Sequence, residues 1–202
     1  MAEITSYAHL VAHYCPNLPK LIFRRAFISA ARHYFTQTQA WEEVIKVSLV
    51  AAKQRYALDT LADDAEIDTI IDVYSDTGNL TGLTGRPFAM GQDAPRSYYA
   101  NAKRTVGFYP IPKEAGVVYV QSCVKPVLEA DTIDDDVFSD NAEGILAGAV
   151  YELKMMPNTD WYDPQGALYY KAERDRCIDE KRIEIATHYA NHSLIMTYPN
   201  IL

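Results

Sequence analysis

Cysteine is scarce in this sequence: Cys15, Cys123 and Cys177 are the only three in 202 residues. They lie far apart, are odd in number and form no Cys-x-x-Cys pair, so neither a disulfide framework nor a cysteine zinc site is indicated, and a reducing compartment is the simplest place of synthesis. Long apolar runs are missing too. No window approaches the roughly 18 uninterrupted apolar residues of a membrane span, and Met-Ala-Glu-Ile-Thr-Ser has neither the basic start nor the apolar stretch of a secretory leader. Asn79-Leu80-Thr81 therefore reads as a polar turn rather than a glycosylation site. Basic charge is short as well: 19 Lys and Arg face 27 Asp and Glu, a formal net charge of -8. That removes the electrostatic footprint of a protein that grips nucleic acid or anionic lipid.

Catalytic signatures are also absent. The sequence has no G-x-S-x-G, H-E-x-x-H, G-x-x-x-x-G-K-[ST] or G-x-G-x-x-G. His188 and His192 are four apart, but the residues between them offer no third metal ligand. Asp64, Glu66 and Asp68 imitate a calcium loop, yet Thr69 stands where glycine is needed and Ser75 where a bidentate Glu is needed. Paired carboxylates of glycosidase type have no specificity among so many acids. The expectation is a protein that is not an enzyme and carries no metal or cofactor.

What the sequence does contain is uneven charge and clear periodicity. Residues 59–76 and 129–143 together hold 14 of the 27 acids and no Lys or Arg, so the remainder carries a charge of +6. The triplet Asp134-Asp135-Asp136 suits the positive end of a following helix. A first helix is expected after Asn17 or Leu18, with Pro19 in its first turn and Phe23, Ala26, Phe27, Ala30 and Tyr34 on its buried face. Lys20, Arg24, Arg25 and Arg32 fall on other faces, as a solvated stripe or a partner contact. Beyond Trp41, Ile45, Val47 and Leu49 alternate with Lys46 and Ser48 as in a half-buried strand, and Thr69 to Tyr74 is a second β-rich run.

Residues 75–97 are rich in Gly and Pro and read as a long loop. Thr105 to Ile111 and Val117 to Val124 are strand-like, with a link of hairpin length between them, and Pro110 and Pro112 place the first at a sheet edge or end. Phe138, Ala142, Ile145, Leu146, Ala149, Leu153 and Met156 form a helical stripe that Pro157 ends; Gly144 and Gly148 there admit a close neighbouring helix. Asp163-Pro164 opens a long helix reaching about Ala190, with Lys171 to Asp175 and Arg176 to Glu180 as i, i+4 pairs. Residues 193–202 are apolar where a free tail should be polar. Trp41 and Trp161 read as core or inter-helix anchors, and the 15 tyrosines, including Tyr98-Tyr99 and Tyr169-Tyr170, as core or interface residues.

The expected fold class is mainly α within α+β: an antiparallel helix bundle from residues 1–42 and 133–190. A β-rich region, 43–132, is inserted in it, holding a β-hairpin or small antiparallel sheet and the loop 75–97, and an extended C-terminal tail, 191–202, follows.

Certain segments, in their order and spacing, resemble tailed-phage head-to-tail adaptor proteins of podophage type. They are Ala30-Ala31 through Phe35 and Trp41; Phe108-Tyr109-Pro110-Ile111-Pro112 before a Gly116-led strand; Val124-Lys125-Pro126; and Gly148 to Pro157 followed by Trp161-Tyr162-Asp163-Pro164. The resemblance spans about Pro19 to Ala190. It implies a structural virion protein that assembles as a ring, usually of twelve, between the portal and the tail nozzle or tube, with DNA passing through and no membrane partner. On this reading Met196, Tyr198, Ile201 and Leu202 in the tail, with Lys20, Arg24, Arg25 and Arg32, are candidate contacts to portal or neighbour. Trp41, Pro110, Pro112, Gly148, Pro157 and Trp161 are read as fold-defining. The alternatives are a virion-associated peptidoglycan hydrolase and a DNA-packaging accessory protein. The charge of -8 predicts that the purified chain will not be retained on duplex DNA in a filter-binding assay at physiological salt; tight, salt-sensitive retention would place it in the packaging class.

Overall fold

Local sequence explains most element boundaries. Lys20–Thr38 is helical because apolar residues recur along it with helical period and no breaker interrupts them. Pro19, extended at φ -63 and ψ 134, stands just outside as N-cap, and Gln39 closes the other end in the left-handed conformation, its N–H donating to the Phe35 carbonyl. The computed structural model describes residues 2–191 apart from 77, 86, 88–90 and 103. In order these are β1 (Ala2–Glu3), a 3-10 turn (Ile4–Tyr7), α1 (Ala8–Val11), α2 (Lys20–Thr38), β2 (Glu42–Leu49), β3 (Arg55–Ala57), β4 (Ala65–Ser75), β5 (Gly78–Asn79), β6 (Thr81–Gly82), β7 (Gln92–Asp93), β8 (Ser97–Ala102), β9 (Thr105–Tyr109), β10 (Ile111–Pro112), β11 (Gly116–Pro126), β12 (Thr132–Ile133), α3 (Asp135–Ser139), α4 (Ala142–Lys154) and α5 (Pro164–Asn191).

Two four-stranded sheets carry the β material, in the orders β2-β11-β4-β5 and β3-β9-β8-β6. β11 is antiparallel to β2 from Gly116 opposite Leu49 to Cys123 opposite Glu42, and to β4 from Val118 opposite Ser75 to Pro126 opposite Ala65. The period of two puts Glu43, Ile45, Val47 and Leu49 of β2 inside and Glu42, Val44, Lys46 and Ser48 outside.

The expected mainly helical bundle with a small β insert is not what forms. About 39% of the described residues are helical and about 30% are strand. The strands bury too much apolar surface to hang from a bundle: Ile45, Val47, Val106, Phe108, Val118 and Val120 join Phe23, Phe27, Ile145 and Leu153 in one continuous core. α2 bridges the two parts, with Phe35 edge-on to Trp41 at 5.5 Å and Thr36 accepting from Lys125 Nζ at 3.2 Å. The expected hairpin is corrected too. β9 pairs with β3 and β8 while β11 pairs with β2 and β4, so the link between them crosses from one sheet to the other. Pro110, cis after Tyr109, follows the last residue of β9, and β10 pairs instead with β7, since proline has no N–H with which to continue a ladder. Short strand pairings at β5, β6 and β7 fall within the segment expected to be loop.

In the helical layer α4 lies between α2 and α5. A Cβ on Gly148 would stand 3.0 Å from the Ala30 Cβ and 3.3 Å from the Arg174 Cδ, and one on Gly144 would stand 3.0 Å from the Cys177 Cβ. The two glycines thus admit a helix on each side. Asp134 accepts from the backbone of Asp136 and Val137 and caps α3. Asp163 accepts from Gly166 N at 2.9 Å and Lys154 Nζ at 3.1 Å at the start of α5. Arg176 meets Glu180 at 2.8 Å as the spacing suggests, whereas Asp175 takes Arg174 at 2.7 Å. All three cysteines are buried and free, and burial raises each thiol pKa, that of Cys123 to about 12.

The Lys125–Asp68 ion pair, 2.6 Å apart with each side chain 10% exposed, joins β11 to β4 beneath α2. Lys125→Met removes the cation of this buried pair and is expected to cost about 3–5 kcal/mol in urea unfolding, while adding Asp68→Leu should recover most of that loss. A double-variant loss equal to the sum of the two single-variant losses would show that the pair is not coupled.

Candidate functional site

The outward face of α2 is built by its period. Nine residues, about two and a half turns, separate Leu21 from Ala30. Ala30 meets α4 at Gly148, so Leu21 faces away from α4, with Arg25, Ile28 and Arg32 on the same side. Two of the cations on this face serve the chain itself. Arg24 donates from Nε to Ala130 O at 2.9 Å and from Nη2 to the Glu129 carbonyl, and pairs with Asp131 at 3.0 Å. Arg32 donates to the Pro126 carbonyl and pairs with Glu66 at 2.9 Å. Together they clamp the segment that leaves β11 against α2. From the other side, Asp64 accepts from Asp131 N at 3.1 Å, Thr132 N at 2.8 Å and Thr132 Oγ1 at 2.6 Å. The Thr132 hydroxyl is the largest cause holding the Asp64 carboxyl below the usual carboxylate range.

The clamp leaves a groove of about 580 Å³ between α2 and residues 128–129, walled by Leu21 and Leu128 with Ile28 also lining it. Leu21 and Leu128 are 73% and 74% exposed. Lys20 and Arg25 are exposed and make no hydrogen bond or ion pair among the described residues.

A second cleft, of about 360 Å³, opens between α1, α4 and α5 and is lined by Leu10, Tyr14, Leu146, Val150, Tyr169 and Tyr170. Tyr170 sits edge-on to both Tyr14 and Tyr169, each at 5.3 Å. Burial, with Tyr14 beside it, pushes Tyr170 up to about 12. Next to these rings Arg176 meets three carboxylates, Glu143 at 2.7 Å, Glu173 at 2.9 Å and Glu180 at 2.8 Å. One guanidinium against three carboxylates leaves a local negative surplus.

The remaining residues singled out in the sequence are dispersed. Trp41 is buried and its carbonyl accepts from Val124 N, while Pro112 accepts from Ala52 N. Trp161 packs half-buried against the core, and Pro157 is exposed beyond the end of α4. Met196, Tyr198, Ile201, Leu202 and His192 lie outside the described residues. Of the first acidic stretch, Asp64, Glu66, Asp68 and Asp72 are engaged in holding β4 and the clamp, leaving Asp59, Asp63 and Asp76 exposed. In the second, Glu129, Asp131, Asp135, Asp136, Asp140 and Glu143 are exposed. Leu21, Leu128 and Tyr14, which shape the two hollows, carry no distinguishing sequence signal, unlike the α2 arginines and the tyrosine pair 169–170. Among the described residues no group of three or more His, Cys, Asp or Glu is placed to hold a metal ion, and no helix is long and apolar enough to cross a membrane.

A family model described as SU10 adaptor protein matches residues 5–194, a span containing all five helices and both four-stranded sheets. No curated protein matches the chain.

The lowered Asp64 pKa has a defined sign. Its stabilising contribution is complete above the ordinary carboxyl value of about 4 and is lost as pH falls through the lowered folded value. Asp64→Asn is therefore expected to lower the urea midpoint at pH 7 and to flatten the decline of stability between pH 4 and pH 2. An acid profile parallel to that of the parent would mean that the carboxylate bonds are not formed.

Proposed function

We propose a function on this premise: the chain belongs to the SU10 adaptor protein family. Membership makes it a structural phage adaptor and a component of the virion. The finer reading is that copies close into a ring, of twelve as the resemblance implies. The ring lies between the portal and the tail nozzle or tube protein, with DNA passing through its centre unbound. The observation that carries this reading is the extent of the match, which takes in every main element of the fold rather than one motif. The two unlike hollows support it, since a ring protomer needs side faces that differ. The exposed acids of residues 129–143 support a channel wall, because carboxylates repel phosphates.

In this reading Lys20 and Arg25 face a partner, and Arg24 and Arg32 act behind them by holding the clamped segment. The apolar tail, including Met196, Tyr198, Ile201 and Leu202, is the contact to the portal or to a neighbouring copy on it. Electron microscopy of the purified chain mixed with its portal is expected to show a ring at the portal's narrow end. Deletion of residues 193–202 is expected to abolish that ring while leaving the unfolding midpoint unchanged. A truncated chain that still decorates the portal would remove the tail from the contact, and a full chain that stays a free globule would remove the adaptor position.

A further inference from the structure

Two patches on this chain are complementary to each other. Leu21 and Leu128 stand at the α2 groove, and Leu168 and Tyr169, 64% and 62% exposed, stand beside the tyrosine cleft. Large apolar side chains left in water in pairs mark contact surfaces. Charge matches as well. Arg25 and Lys20 have no hydrogen bond or ion pair among the described residues, whereas Glu143, Glu173 and Glu180 outnumber Arg176 beside the cleft. Each side is already shaped: Arg24 fixes the groove wall through the Glu129 and Ala130 carbonyls, and Tyr170 backs Tyr169 edge-on. Little ordering would remain to oppose association. Direction agrees too, because the groove lies on the side of α2 opposite Ala30 and α4, while the cleft opens between α1, α4 and α5.

We propose that Tyr169 of one copy enters the α2 groove of a second copy, between Leu21 and Leu128. There Arg25 of the second copy lies against the tyrosine ring and the Glu173 and Glu143 carboxylates. This rests on the ring reading above and names its side contact. The contact is heterologous, groove to corner, so each copy offers an unused groove on one side and an unused corner on the other, and the pairing repeats until it closes. An arginine held over a tyrosine face gains from the ring quadrupole as well as from the nearby carboxylates.

The test is directed cross-linking. The native cysteines are buried, so Glu129→Cys at the groove rim and Ala172→Cys, one turn from Tyr169, each introduce an exposed thiol beside the contact without removing Leu21 or Tyr169. With a short bismaleimide, with and without portal, a mixture of the two single variants is expected to give a linked dimer. The double variant should give a ladder of oligomers, and each single variant alone should stay a monomer on a denaturing gel. Arg25→Glu in the Glu129→Cys chain is expected to cut the linked yield about tenfold, and Glu173→Lys in the Ala172→Cys chain to restore it. Linked single variants, or charge reversal without effect, would overturn the contact. A ring on the portal that does not cross-link would reject this contact and leave the ring standing. Cross-linking without a ring on the portal would retain the contact and reject the ring, and neither would reject both.

Discussion

The second half of strand β11, Ser122 to Pro126, is buried on both faces, and much of the molecule is arranged around it. The strand's inner residues Val118 and Val120 meet the core shared by the two sheets, and Cys123 and Lys125, reaching the other way, meet the end of α2 at Gln39 and Thr36. A helix therefore lies on a sheet, and a second sheet lies on the far side of it. Without β11 in place, β2 and β4 would have no common partner, α2 would lose its floor, and α4 and α5 would pack on nothing fixed.

The charges follow from the same arrangement. A sequence with 19 basic residues and 27 acidic ones can neutralise its acids only in part, and this chain uses its scarce cations where backbone carbonyls as well as carboxylates can be reached. Arg24 and Arg32 each satisfy a carbonyl and a carboxylate at once, which suits the forked guanidinium and would not suit lysine. Among the described residues, Lys20 and Arg25 on the outer side of α2 are left exposed without a carboxylate, as are Lys46 on β2, Arg55 on β3 and Lys171 on α5.

Much of this was legible in the residues. The alternation at Ile45, Val47 and Leu49, the helical recurrence from Phe23 to Tyr34, the Asp163-Pro164 start and the small residues at 144 and 148 all describe local or neighbouring geometry, and the structure agrees with each. What could not be read was partnership. A link of hairpin length says how far the chain can reach but not which strand it will meet, so the spacing alone suggests β9 beside β11 although they lie in different sheets. Helical period assigns Arg24 and Arg32 to a surface face, whereas their bonds to backbone carbonyls run to residues about 100 positions away. Of the candidate contact surfaces, the cations and the tyrosine pair were visible, and the leucines that wall the groove were not.

The buried thiols have a bearing on life outside the cell. A virion component, once released, meets dissolved oxygen with no thiol-reducing system to repair it. Thiolate is the form that oxidises, and burial that raises the pKa of Cys15, Cys123 and Cys177 keeps its population small and out of reach. The three sulfur atoms are therefore shielded both from oxidation and from forming a disulfide with another chain.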